Sequence, residues 1–228
     1  MKIRVLTWNI HGGVGRDGRF DLARIIDLIR GWEPDIIALQ EVDSRRNLPG
    51  ESPAFAFIAS ELGFHSVEAK TLLAKDGEYG QMLVSRWQLG RTRIHDISVP
   101  KREPRRAIEA EIETPHGPVH VLAAHFGLSL RERRRQAQAL AEIAGSGPRT
   151  TIILGDFNDW VRGSVQRAFA LEFPGVTSHR TWPTPYPLLR LDRVFCRPAQ
   201  ALLESRIDPR GRSMSDHLPV IAEIKLEK

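Results

Sequence analysis

Several short apolar runs in this chain stop at polar residues of one chemical kind. Asn9 follows Val5-Leu6-Thr7-Trp8, and Glu41 follows Ile36-Ile37-Ala38-Leu39-Gln40. His125 closes Val121-Leu122-Ala123-Ala124, and Asp156 with Asn158 follows Ile152-Ile153-Leu154-Gly155. Asp192 lies at the start of the run 191–195, and Asp216-His217 stand immediately before Leu218-Pro219-Val220. Polar residues commonly end strands, so any one of these would mean little. Together they are a constellation of groups that bind hard cations or phosphates. Carboxylates with an amide carbonyl suit Mg²⁺ or Mn²⁺ and not a thiolate-held metal. A further carboxylate can orient or deprotonate water, and an imidazole or amide can donate to non-bridging phosphate oxygens. The chemistry indicated is metal-assisted attack of water on a phosphoester, where negative charge builds in the transition state.

Such residues need a rigid frame, and strand ends supply one. Strands are predicted at 3–8, 36–39, 82–84, 94–99, 107–112, 119–124, 151–154, 191–195 and 218–224. Leu22, Ile25, Ile26 and Ile29 recur at helical spacing after a plausible N-cap, Asp21, with Gly31 and Pro34 closing the helix. A second helix is expected at 54–62, and Ser129 with Glu132 has capping-box spacing for a third, running to about Ala144. Many strands with few helices predict sheets packed on each other with helices outside.

At 228 residues, one domain spanning 1–228 is expected, with 41% hydrophobic and 27% charged residues, which excludes a disordered chain. The formal net charge is +5 and the pI near 9.8, which permits a polyanionic partner without establishing one. Cys196 is the single cysteine, so no intrachain disulfide can form, and the N-terminal sequence has no signal pattern. No window approaches a membrane span, so no stable membrane insertion and a cytoplasmic location are the expectations.

Six segments in order carry a resemblance. Thr7-Trp8-Asn9-Ile10, Leu39-Gln40-Glu41-Val42, Ala124-His125-Phe126, Gly155-Asp156-Phe157-Asn158, Leu191-Asp192-Arg193-Val194-Phe195 and Ser215-Asp216-His217-Leu218-Pro219 resemble the motifs of the endonuclease/exonuclease/phosphatase superfamily. The resemblance covers 3–224 and implies an α/β, four-layer α/β/β/α sandwich of the deoxyribonuclease I-like kind. It also implies a metal-dependent phosphoric ester hydrolase. By position, Glu41 would be the principal anionic metal ligand, with Asn9 and Asp216 on the metal side. Asp156 would orient or deprotonate the water, and Asn158 would position it and the phosphate. His217 would contact the scissile phosphate, with Asp192 orienting its imidazole. His125 would bind phosphate or protonate the leaving oxygen. One or two Mg²⁺ or Mn²⁺ ions are implied.

The chain departs from the family pattern in two places. Asn9-Ile10-His11 stands where DNA-repair members often carry Asn-x-Asp, and Gly80-Gln81 where Gly-Asn is frequent. His11 and His120 read as structural or exposed. Residues 11–18 read as a flexible rim loop, and Arg131, Arg133, Arg134 and Arg135 as a solvated helix face. Arg102, Arg105 and Arg106, in a loop before a strand, are candidates to hold a substrate phosphate, while Trp160 could stack on a base or merely pack. The expected partner is a phosphoester: DNA, RNA or a small phosphodiester. The charge slightly favours a phosphodiesterase of the endonuclease type. The alternatives are a phosphatase or phosphodiesterase on a lipid headgroup, inositol phosphate or nucleotide, and a non-catalytic polyanion- or protein-binding module.

Overall fold

Uninterrupted apolar runs make strands that can be buried on both faces, and here they become the centres of two sheets. The computed structural model describes residues 1–46, 52–63, 65–145, 150–160 and 163–226. In the first sheet, β1 (Lys2–Asn9) runs parallel to β2 (Ile36–Asp43), joined by the helix α1 (Leu22–Arg30). Asp21 accepts a hydrogen bond from Arg24 N and starts that helix, as its position predicts. After α2 (Ala54–Leu62) come β3 (His65–Ala74) and β4 (Gly77–Ser85), which extend the sheet beyond β2.

The second sheet repeats the plan. The strands β5 (Leu89–Asp96), β6 (Arg106–Thr114) and β7 (Gly117–His125) form a meander. The helix α3 (Leu130–Ala144) then crosses to β8 (Thr151–Asp156), parallel to β7, and its Ser129–Glu132 capping box is formed. Next follow α4 (Ser164–Phe169), the two-residue β9 (Gly175–Val176) and β10 (Asp192–Arg197). The chain then returns to the first sheet as β11 (Leu202–Ile207) and β12 (Val220–Lys225). The orders are β11-β12-β1-β2-β4-β3 and β5-β6-β7-β8-β10-β9.

The layers follow from the cores. Ile3, Val5, Ala38, Ile108, Val121, Leu154 and Val220 fill the space between the sheets. Leu6, Trp8, Ile25, Leu39, Phe55 and Ile58 seal α1 and α2 onto one outer face. Phe126, Leu140, Phe157, Phe169 and Phe195 seal α3 and α4 onto the other. This is the expected α/β/β/α sandwich. The strands β3 and β11, absent from the sequence reading, are half-exposed edge strands whose residues show no clean alternation.

Candidate active site

Register brings the constellation together. His125 is paired with Asp156 across β7 and β8, and Asp156 with Asp192 across β8 and β10, so three side chains form one row. Gly155, before Asp156, has φ +152°, and a Cβ there would lie 1.9 Å from the Ala124 carbonyl oxygen, so only glycine lets β7 and β8 approach. On the other sheet, Glu41 sits at a bulge in the β2–β4 pairing with φ +57°, which re-aims its side chain at the strand end. Asn158 also has a left-handed backbone, φ +49°, a conformation that Asn tolerates. Its N–H donates to Asp156 Oδ1 at 2.9 Å and its Nδ2 to the Phe126 carbonyl at 3.0 Å.

Asn9 joins the two sheets. Its Nδ2 donates to Glu41 Oε1 at 2.8 Å and to Asp156 Oδ2 at 3.0 Å, and its Oδ1 accepts from His11 N–H at 3.1 Å. The segment carrying Asp216 and His217 is pinned from three sides. Ser215 Oγ donates to the Asn9 carbonyl and accepts from His217 N–H, and Trp8 Nε1 donates to the His217 carbonyl at 2.8 Å. Trp182 Nε1 donates to Asp216 Oδ2 at 3.1 Å.

The imidazole of His217 meets Asp192 Oδ2 through Nδ1 at 2.8 Å, and its Nε2 lies 3.9 Å from Asp156 Oδ2. Burial alone would lower the His217 pKa, but the carboxylates of Asp192 and Asp156 outweigh it and hold it at about 10. Burial pushes the Asp156 carboxyl up to about 6, against the opposing pull of the His217 cation. His125 is buried, with Nε2 3.6 Å from Asp156 Oδ2; burial, then the charges of Arg105 and His217, hold its pKa well below the usual imidazole value. The site therefore presents a carboxyl that titrates near neutrality, a cationic imidazole and a neutral one.

Two groups of donors could hold a cation. Asp156, Asp192 and His217 bring ligand atoms within 4.8 Å of one another, although the His217–Asp192 hydrogen bond already engages two of those groups. Beside them, Asp216 Oδ1 is buried with no hydrogen-bond partner and lies 3.5 Å from His11 Nδ1, which is 3.8 Å from Glu41 Oε2. Asp216 and Glu41 thus stand on either side of the His11 imidazole, and carboxylate oxygens are the donors a hard divalent ion takes.

Arg105 is buried, paired with Glu103 at 2.7 Å, and lines the cavity above this floor. Arg106 is exposed and borders a smaller crevice beside Tyr79 and His125. Sequence reasoning missed the parts played by His11, Ser215 and Trp182, which come from loops with no periodic signal. Residues 11–19 are fastened to α1 rather than loose: Arg24 pairs with Asp17 and donates to the Arg19 carbonyl. His120 is buried against Glu109 at 2.9 Å, as a structural reading expects. Arg133 departs from a solvated face, because it turns inward and is 1% exposed.

Comparison with known proteins bears on the family and the fold. A family model described as "Endonuclease/Exonuclease/phosphatase family" matches residues 6–217. The chain is 31% identical to "Uncharacterized protein YbhP" of Escherichia coli (strain K12), covering 98% of this chain and 96% of that one. Its fold is similar to an endonuclease/exonuclease/phosphatase structure from Beutenbergia cavernae, with TM-score 0.81 and 23% identity over 99% of this chain and 72% of that one. It is likewise similar to a structure of the 3′ phosphatase NExo from Neisseria bound to a product DNA hairpin. There the TM-score is 0.70, with 22% identity over 98% of this chain and 99% of that one.

Proposed function

The chain belongs to the endonuclease/exonuclease/phosphatase family, whose enzymes are typically metal-dependent phosphoester hydrolases, and from that premise we propose that it is a phosphodiesterase using Mg²⁺ or Mn²⁺. The observation that carries the reading is the facing pair Asp156 and His217, 3.9 Å apart with opposite proton demands. Above pH 6 the Asp156 carboxylate can take a proton from water, while Asn158, fixed to Asp156 Oδ1, positions that water and the phosphate. The His217 cation, oriented by Asp192, donates Nε2–H to a non-bridging phosphate oxygen as charge builds there. The neutral His125 supplies an N–H to the phosphate, a role its lowered pKa suits better than protonating a leaving oxygen. Arg105 gives the phosphate a positive neighbour at the cavity wall.

Glu41 and Asp216 would hold the cation, with Asn9 keeping Glu41 in place. A bound divalent ion would supply Lewis-acid polarisation of the phosphoryl oxygens. The test is hydrolysis of bis(p-nitrophenyl) phosphate in Mg²⁺ or Mn²⁺, with EDTA and Asp156→Ala as controls. Turnover lost in both controls by folded protein is expected, with at least a ~100-fold fall for the variant. A variant that stays active would overturn the Asp156 assignment, and a folded wild type inert on every phosphoester would overturn the hydrolase reading. A nuclease is the second reading, favoured by the net charge of +5, and nicking of supercoiled plasmid reads it directly.

A further inference from the structure

The polar floor is roofed by apolar walls. The cavity above His125, Asp156 and His217 has a volume of about 520 Å³, and Leu128, Trp160, Trp182, Leu189 and Leu191 line it. Around its mouth the apolar surface continues outward into water. Leu128 is 64% exposed and Trp160 52% exposed, and the loop between Trp182 and Leu189 carries Tyr186 at 80% and Leu188 at 64%. Exposed large apolar side chains gathered on one face mark an interaction site. Leucines interspersed with Trp and Tyr are the residue set that settles at a lipid–water interface.

These projections are built, not loose. The Trp182 carbonyl accepts from both Leu188 N–H and Leu189 N–H, closing the base of the loop. The loop is then tied to the floor through Thr184 N–H to the Asp216 carbonyl and Trp182 Nε1 to Asp216 Oδ2. On the opposite side, buried Arg133 donates to the Leu128 carbonyl, and its guanidinium lies 5.6 Å over the Trp160 ring. One buried cation thus holds two exposed apolar tips.

Charge separates the candidate occupants. A nucleic acid strand in the cleft would need a track of cations along its phosphates. Among the described residues lining the cavity, Arg105 is the one Lys or Arg, and Glu103 pairs with it. The exposed Arg131, Arg134 and Arg135 follow Leu128 at the start of α3, and the exposed Arg190 follows Leu189; none of the four lines the cavity. Exposed cations next in the chain to apolar rim residues complement a surface of anionic headgroups surrounding one extracted lipid.

We propose that this mouth docks on an anionic membrane surface and that the phosphoester hydrolysed is that of a membrane phospholipid. The hydrolysis rests on the phosphodiesterase reading: water adds to phosphorus, one P–O ester bond breaks, and phosphomonoester and alcohol leave. The docking does not rest on it. The test sediments the full chain with phosphatidylcholine vesicles, with and without phosphatidylglycerol, beside the double variant Tyr186→Asp/Leu188→Asp. Wild type is expected to pellet with the anionic vesicles, and the double variant to bind at least ~10-fold less. Its turnover of bis(p-nitrophenyl) phosphate should be unchanged, since neither residue lines the cavity. Tyr186→Ser/Leu188→Ser serves if the charged pair lowers the melting temperature. Vesicle binding that is absent, or equal in variant and wild type, overturns the docking. Plasmid nicking without vesicle binding overturns it in favour of nucleic acid. Inert but vesicle-bound protein leaves the docking standing and sinks the hydrolase reading, so the two failures are distinct.

Discussion

The floor and the rim of the cleft are built on opposite principles. The floor is polar and buried, and strand register sets it: His125, Asp156 and Asp192 share one row across three strands, and Asn9 ties that row to Glu41. The rim is apolar and exposed, and loop tips carry it. A hydrogen-bonded floor holds reacting groups within the tolerances that proton transfer demands. A loop rim can change its residues without disturbing them, so reaction class resides in the sheet and substrate choice in the loops.

The largest expected effect breaks the floor. His217→Ala should lower kcat on bis(p-nitrophenyl) phosphate by ~100-fold or more while vesicle sedimentation stays as in wild type. If both readouts fall together, floor and rim are one unit and the contrast fails. Asp156→Asn should also abolish turnover, and it should change how stability depends on pH. The folded carboxyl is raised from 3.8 to about 6 by burial, so its favourable contribution is present below pH 3.8 and lost as pH rises through 6. Relative to wild type the variant should therefore gain stability as pH rises through 6, and melting curves at pH 4 and pH 8 read the difference.

Asp192→Asn has the reverse sign. His217 is held at about 10 because, against burial, Asp192 and Asp156 favour its charged form. That stabilisation is complete below pH 6.5 and disappears as pH rises through 10. The variant should lose about 3 kcal/mol at pH 6, as expected for breaking a buried pair, and the gap from wild type should close towards pH 10. Equal gaps at both values would show that the imidazole carries no charge in the fold.

The floor was legible in sequence because strands write it twice. Apolar runs gave β1, β2, β7, β8 and β10, and a polar residue marks one end of each run, Asp192 the start of β10 and the others the finish. The Gly155-Asp156-Phe157-Asn158 turn even shows its constraint, since glycine is needed beside the Ala124 carbonyl. The rim left no such record. Trp182 and Leu189 come together through a bridge between loop residues, and Arg133 turns inward because the Leu128 carbonyl and the Trp160 ring await it. His11 reaches Asp216 and Glu41 only because Asn9 accepts from its N–H and its backbone has φ +49°. Contacts between loops carry no period, so composition and spacing pass over them.

A more moderate effect sharpens the division inside the floor. Glu41→Gln keeps a side chain that can accept from Asn9 Nδ2 but removes the charge facing His11. The variant should bind Mn²⁺ ~10–100-fold more weakly by titration calorimetry, with its melting temperature nearly unchanged without metal. An unaltered Mn²⁺ affinity would move the cation to the Asp156, Asp192 and His217 group instead. The pH profile of wild-type turnover then separates the proton-transfer groups: activity should rise as Asp156 loses its proton near pH 6 and fall as His217 loses its own near pH 10.

The smallest effect belongs to the rim, at Arg133→Met. The substitution keeps a long apolar stem in a buried position but removes the bond to the Leu128 carbonyl and the cation over Trp160. A cation–π contact contributes about 0.5–1 kcal/mol, which corresponds to ~2–5-fold in a binding constant. Anionic-vesicle affinity should fall by about that factor, because Leu128 and Trp160 would no longer be held together before docking. Melting temperature should fall little or rise, since a buried guanidinium costs desolvation that methionine does not incur. An Arg133→Met variant that is less stable yet binds vesicles as wild type does would make Arg133 a core residue alone. The rim would then owe its exposed tips to backbone contacts, chiefly the closure of the 182–189 loop on the Trp182 carbonyl.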